Sequence, residues 1–84
     1  MKIQSSLDWN SVHSELRKQI GQLPYNPDLR KMLNNISSMV AALSSREVGS
    51  RRLNKPEYSQ EMVDEINKAI DHLEKLLLIA KLMY

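Results

Sequence analysis

Apolar residues in this chain return every three or four positions in three successive stretches, and nowhere do they alternate singly with polar ones. A 3.6-residue period places such residues on one face of an α-helix, whereas a half-buried strand needs a period of two. The pattern predicts an all-α fold with no sheet. Trp9, Val12, Leu16, Ile20 and Leu23 form the first stripe. Leu29, Met32, Leu33, Ile36, Met39, Val40 and Leu43 form the second, and Met62, Val63, Ile66, Ile70, Leu73, Leu77 and Ala80 the third.

Proline, glycine and short polar residues divide the stripes. Ser5 or Ser6 is a candidate N-cap for a first helix over about 6–22, which Gly21 and Pro24 end. Asn26 reads as the N-cap of a second helix, with Pro27 at its first position and Asp28 where the helix dipole is positive. Gly49 is the expected stop, giving a helix over about 27–49 with fraying turns as far as Arg52 as the alternative, and Ala41 and Ala42 allow a neighbour to approach closely. A third helix is expected over about 57–83, supported by Asp64–Lys68 and Asp71–Lys75 pairs at i,i+4. The expected architecture is a single domain over 1–84: a short N-terminal helix, then a longer antiparallel helical hairpin.

Eighty-four residues bury a marginal core, and the absence of cysteine removes disulfides and thiolate metal sites. Beyond Leu76 the third helix is apolar on more than one side, through Leu76, Leu77, Leu78, Ile79, Leu82 and Met83. A helix of that kind is buried on more than one side, and in a chain this small the second cover implies another subunit. The N-terminus lacks the apolar run of a signal peptide, and "LLLIAKLMY" (76–84) is too short to span a bilayer. A soluble, cytoplasmic, oligomeric protein without membrane contact is expected.

Chemistry-bearing motifs are sparse. His13 and His72 lie on different helices without partners at metal-ligand spacing, and two glycines make no phosphate loop. The carboxylates of the third helix read as a solvated face. No enzymatic activity, cofactor or metal is expected. The charge is unevenly spread instead. Residues 30–56 hold six basic groups against Glu47 alone, while 57–84 hold three basic and six acidic groups. Arg51, Arg52 and Lys55 lie beside Tyr58, and guanidinium forks next to a flat ring suit a nucleotide's phosphate and base. The same arginines also suit the negative end of a helix dipole, so capping and ligand binding both stand. Trp9 likewise stands as core or as a stacking face for a base.

The run "SELRKQIGQLPYNPDLRKMLNNISSMVAALSSREV" (14–48) has a helix ending in Leu23-Pro24, a short polar link, and a helix with Ile36, Met39, Val40, Ala42 and Leu43 at its core. It resembles the helical-hairpin domain of phage-encoded sponges for cyclic oligonucleotides. That family includes phage inhibitors of CBASS, the cyclic-oligonucleotide-based antiphage system. The resemblance implies a compact all-α protomer that assembles into a homo-oligomer, commonly a hexamer, in the host cytoplasm. It also implies sequestration of cyclic di- or trinucleotides without cleavage, in pockets between protomers. On that basis Trp9 is the candidate base-stacking aromatic and Lys18 a phosphate contact. The acidic third helix lies outside the resemblance.

Two other readings stand beside it. "LLLIAKLMY" could lay an apolar face against a partner helix, as in small helical-hairpin adaptors similar to type III secretion chaperones. The basic 46–55 region could serve a small nucleic-acid-binding regulator. Its positive charge is short and local, so no stable nucleic-acid complex is expected.

Overall fold

The computed structural model describes residues 1–83; Tyr84, the last residue of the apolar tail, lies outside the described residues. The regular structure among the described residues is all helical, with a single 3-10 turn (Ser6–Asp8) and three α-helices: α1 (Trp9–Gly21), α2 (Pro27–Leu53) and α3 (Glu57–Met83). Ser5 Oγ accepts from the Leu7 N–H at 3.3 Å, and the Asp8 carboxylate accepts from the N–H groups of Gln4 and Ser5. This reciprocal cap draws the opening of the first helix into a 3-10 turn, so regular α geometry starts at Trp9. Asn26 Oδ1 accepts from the Leu29 N–H at 3.3 Å, and Pro27 occupies the first turn of α2.

The end of α2 differs from expectation. Gly49 does not stop the helix, which continues to Leu53. The residue that turns the chain is Asn54, in the left-handed region at φ 52° and ψ 42°. Of the two i,i+4 pairs expected on α3, only Lys75–Asp71 forms, at 3.1 Å. Lys68 pairs with Glu65 at 3.7 Å instead, because Asp64 is engaged by the Gln60 amide at 3.0 Å. Ala41 and Ala42 are exposed and make room for no helix in the protomer.

α2 and α3 pack along their length as an antiparallel hairpin, and α1 lies mainly on α2 with a lesser contact to α3. The stripes meet in one core. Leu16, Leu43, Ile66, Ile70, Leu73 and Leu77 are essentially inaccessible to solvent. Burying each such side chain contributes ~1.5–3 kcal/mol.

The extreme N-terminus is part of this core, which the periodicity did not reveal. Ile3 is 1 % exposed. Its backbone is gripped at both ends by one side chain: its N–H donates to Asn67 Oδ1 at 2.8 Å, and Asn67 Nδ2 donates to its carbonyl at 2.9 Å. The α-amino group meets Glu74 at 2.7 Å. From there the chain crosses to α2, where the Ser6 N–H donates to Glu47 at 2.9 Å.

These contacts place α1 beside one part of the hairpin only. Its far end reaches the end of α3, where Lys81 donates to Gln19 at 3.2 Å. The molecule is a rod of 48 × 18 × 15 Å, with a base of three helices and a tip of two. At the base, Leu78, Ile79, Leu82 and Met83 of α3 are more than half exposed in the protomer. No helix among the described residues is long and apolar enough to cross a membrane.

Candidate functional site

The tip is built by the α2–α3 turn. The Asn54 N–H donates to the Arg51 carbonyl at 3.4 Å and the Lys55 N–H to the Ser50 carbonyl at 3.0 Å. This is the Schellman arrangement, with Asn in the left-handed position that Gly usually takes. Pro56 follows, where a helix cannot continue. Ser50, the one buried residue between Val48 and Met62, donates its hydroxyl to the Lys55 carbonyl at 2.6 Å. The turn is closed by hydrogen bonds rather than by apolar packing.

Because α2 runs on past Gly49, that glycine faces α3. A Cβ there would come within 3.1 Å of Tyr58 Cε1. Its missing side chain is therefore the space in which the Tyr58 ring lies. One turn earlier, the Arg46 guanidinium sits 5.3 Å from the centre of the same ring. That is cation–π distance, and it leaves Tyr58 44 % exposed. Arg51, Arg52 and Lys55 are exposed on the turn itself. Among the described residues, none of Arg46, Arg51, Arg52 and Lys55 takes part in an ion pair. Glu47, the lone carboxylate of this tract, accepts from both the Ser6 N–H and hydroxyl instead. Arg46 does share a groove with Glu61 and Glu65, lined also by Met39 and Met62, without pairing to either.

The other two candidate residues lie elsewhere. Trp9 is 9 % exposed and belongs to the core, its ring 5.5 Å from His13 and tilted by 54°. It offers no open face in the protomer. Lys18 is exposed near the far end of α1, next to the Gln19 that bonds Lys81. Between Lys81 and Tyr58 lie 23 helical steps, roughly 35 Å along the α3 axis. The structure thus gathers Arg51, Arg52, Lys55 and Tyr58 at the tip and leaves Trp9 and Lys18 apart from them.

Arg46 and Gly49 are the partners of Tyr58 that sequence reasoning missed. The signal was the true end of α2. A helix that runs on to a turn at Asn54–Lys55 keeps Gly49 on the hairpin beside the start of α3, whereas a stop at Gly49 takes it off the helix. Comparison of the chain with protein-family models, with curated proteins and with solved structures finds no match.

Proposed function

We propose that this protein binds and sequesters cyclic di- or trinucleotide second messengers without cleaving them, as a homo-oligomer that blunts a host antiphage signalling pathway. The observation that carries this reading is the tip. Its four cationic side chains are without ion-pair partners among the described residues, and they share the end of the hairpin with a half-exposed aromatic ring on which one of them, Arg46, sits. Cations for phosphate and a flat face for a base are the minimum that a nucleotide requires.

Arg51, Arg52 and Lys55 are exposed, and a small ligand is held best where it is surrounded. A second copy would supply the missing wall. The exposed apolar end of α3 lies at the opposite end of the rod, so head-to-tail contact would bring the tip of one copy to the base of the next. Contacts of that type close into rings when the rotation permits. Such a contact would also let Lys18 of one copy and the tip of another share one ligand despite their separation.

Thermal unfolding and light scattering, with and without a panel of cyclic di- and trinucleotides, test the reading. Ligand at a hundredfold over Kd adds ~2.7 kcal/mol, which raises the melting temperature of a chain this size by on the order of 10 °C. The Arg51→Gln/Arg52→Gln variant is expected to lose that shift while the free protein melts unchanged. The nucleotide should be recovered intact after heating. A panel without any shift would end the proposal.

One observation favours a second reading. Leu78, Ile79, Leu82 and Met83 leave an apolar face that suits a partner helix as well as a second copy. An adaptor of that kind would be polydisperse alone and gain a defined stoichiometry with its partner. A symmetric, monodisperse oligomer in isolation would speak against it.

A further inference from the structure

A further concavity stands apart from the tip. It lies between α1, from His13 to Gly21, and the first turns of α2, a cleft of about 430 Å³. That volume falls within the ~300–1,000 Å³ typical of small-molecule sites. Its floor includes Ile20 and Leu33, both buried, and its polar walls are His13 and Arg17 from α1 with Arg30 and Asn34 from α2. The spacing explains the gathering: His13 and Arg17 are one helical turn apart, as are Arg30 and Asn34, so each pair shares a face.

The charge in this cleft is of one sign. No carboxylate lines it. The nearest in sequence, Glu15 and Asp28, are each two residues from an arginine and so about 200° round the helix from it. Glu15 is moreover engaged by Gln19 at 3.2 Å. Neither Arg17 nor Arg30 forms an ion pair among the described residues. Two guanidinium groups facing one cleft repel each other unless an anion lies between them, and their planar forks match phosphate oxygens. His13 is half-buried with Trp9 against its ring, which holds the imidazole at the wall. Asn34 adds an amide that both donates and accepts.

We propose that the α1–α2 cleft is a second binding site, complete within one protomer, for a phosphate group carried on a compact, nucleoside-sized body. Arg17 and Arg30 hold the phosphate oxygens. Asn34 and His13 supply further hydrogen bonds, and Ile20 and Leu33 contact the body. Gly21 stands at the rim, where an added Cβ would meet nothing within 4 Å. A larger side chain there can narrow the mouth without disturbing the core. The site requires no second copy and none of the tip residues, so it stands or falls separately from the sequestration proposal.

Isothermal titration at low salt with ADP, pyrophosphate and adenosine tests it. ADP and pyrophosphate are expected to bind at one per chain, and adenosine not to bind detectably. Arg17→Gln and Arg30→Gln should each weaken ADP binding by about tenfold or more, the scale of one lost charge-assisted contact. Gly21→Leu should block ADP while leaving the melting temperature and the binding of pyrophosphate intact. Arg51→Gln/Arg52→Gln should leave ADP binding unchanged. The proposal is overturned if ADP and pyrophosphate both fail to bind at millimolar concentration, if adenosine binds as well as ADP, or if the Arg17 and Arg30 variants bind like the parent.

Discussion

The base and the tip of this rod are stabilised by different forces. At the base, three helices converge and Leu16, Ile36, Ile70, Leu73 and Leu77 lie almost wholly out of solvent. At the tip, between Val48 and Met62, the only buried residue is a serine. The base is held by apolar area, which is non-directional and tolerant of detail. The tip is held by a few directional bonds: the Ser50 hydroxyl on Lys55, the two backbone bonds about Asn54, and the Tyr58 ring seated at Gly49. Charges that would be costly inside the base remain hydrated at the tip, where they are available to a ligand. An apolar base thus carries a polar tip, and substitutions at the two should behave differently.

The largest effect is expected at the base. Ile70→Ala removes a side chain that is 0 % exposed and should cost ~2–5 kcal/mol, enough to unfold much of so small a domain. A urea midpoint within error of the parent would contradict the core described above. Next comes the N-terminal clamp. Asn67→Ala strips Ile3 of both backbone partners and should cost ~1–3 kcal/mol. Hydrogen exchange should then accelerate in residues 2–6 well before it does in α3; uniform acceleration would mean that the strap is inseparable from the base.

Effects at the tip should be smaller. Ser50→Ala leaves the Lys55 carbonyl without its hydroxyl partner and should cost ~1 kcal/mol. The loss should concentrate in exchange at residues 50–60, leaving Ile70 protected; a cost equal to that of Ile70→Ala would erase the contrast between the two ends. Smallest of all, Asn54→Gly relieves a left-handed backbone at a non-glycine residue and should stabilise by about 0.5 kcal/mol. A drop in melting temperature would show that the Asn54 side chain contributes something its backbone geometry does not reveal.

Much of the base was legible in the chain. The stripes through Val12 and Leu16, Ile36 and Val40, and Ile66 and Ile70 are the faces that meet, because helical periodicity is a local property and burial follows it. The tip was misread by one turn. Glycine inside a helix costs only ~1 kcal/mol against alanine, a cost that packing easily overrides. Gly49 therefore carried a stop signal that the Tyr58 ring cancelled from across the hairpin. Ile3 fell outside every stripe, since its burial depends on Asn67, 64 residues away. Arg17, Arg30 and His13 were not brought together for the same reason, as no spacing within one helix announces a cleft between two.

Local order alone, then, is enough to specify three amphipathic helices, their caps at Ser5 and Asn26, and an apolar surplus at the end of α3. The long-range arrangement settles where α2 ends, what fastens the N-terminus, and which cations stand together. Helix periodicity and capping act over a few residues and can be read one segment at a time. The company that a side chain keeps across helices depends on how those segments pack.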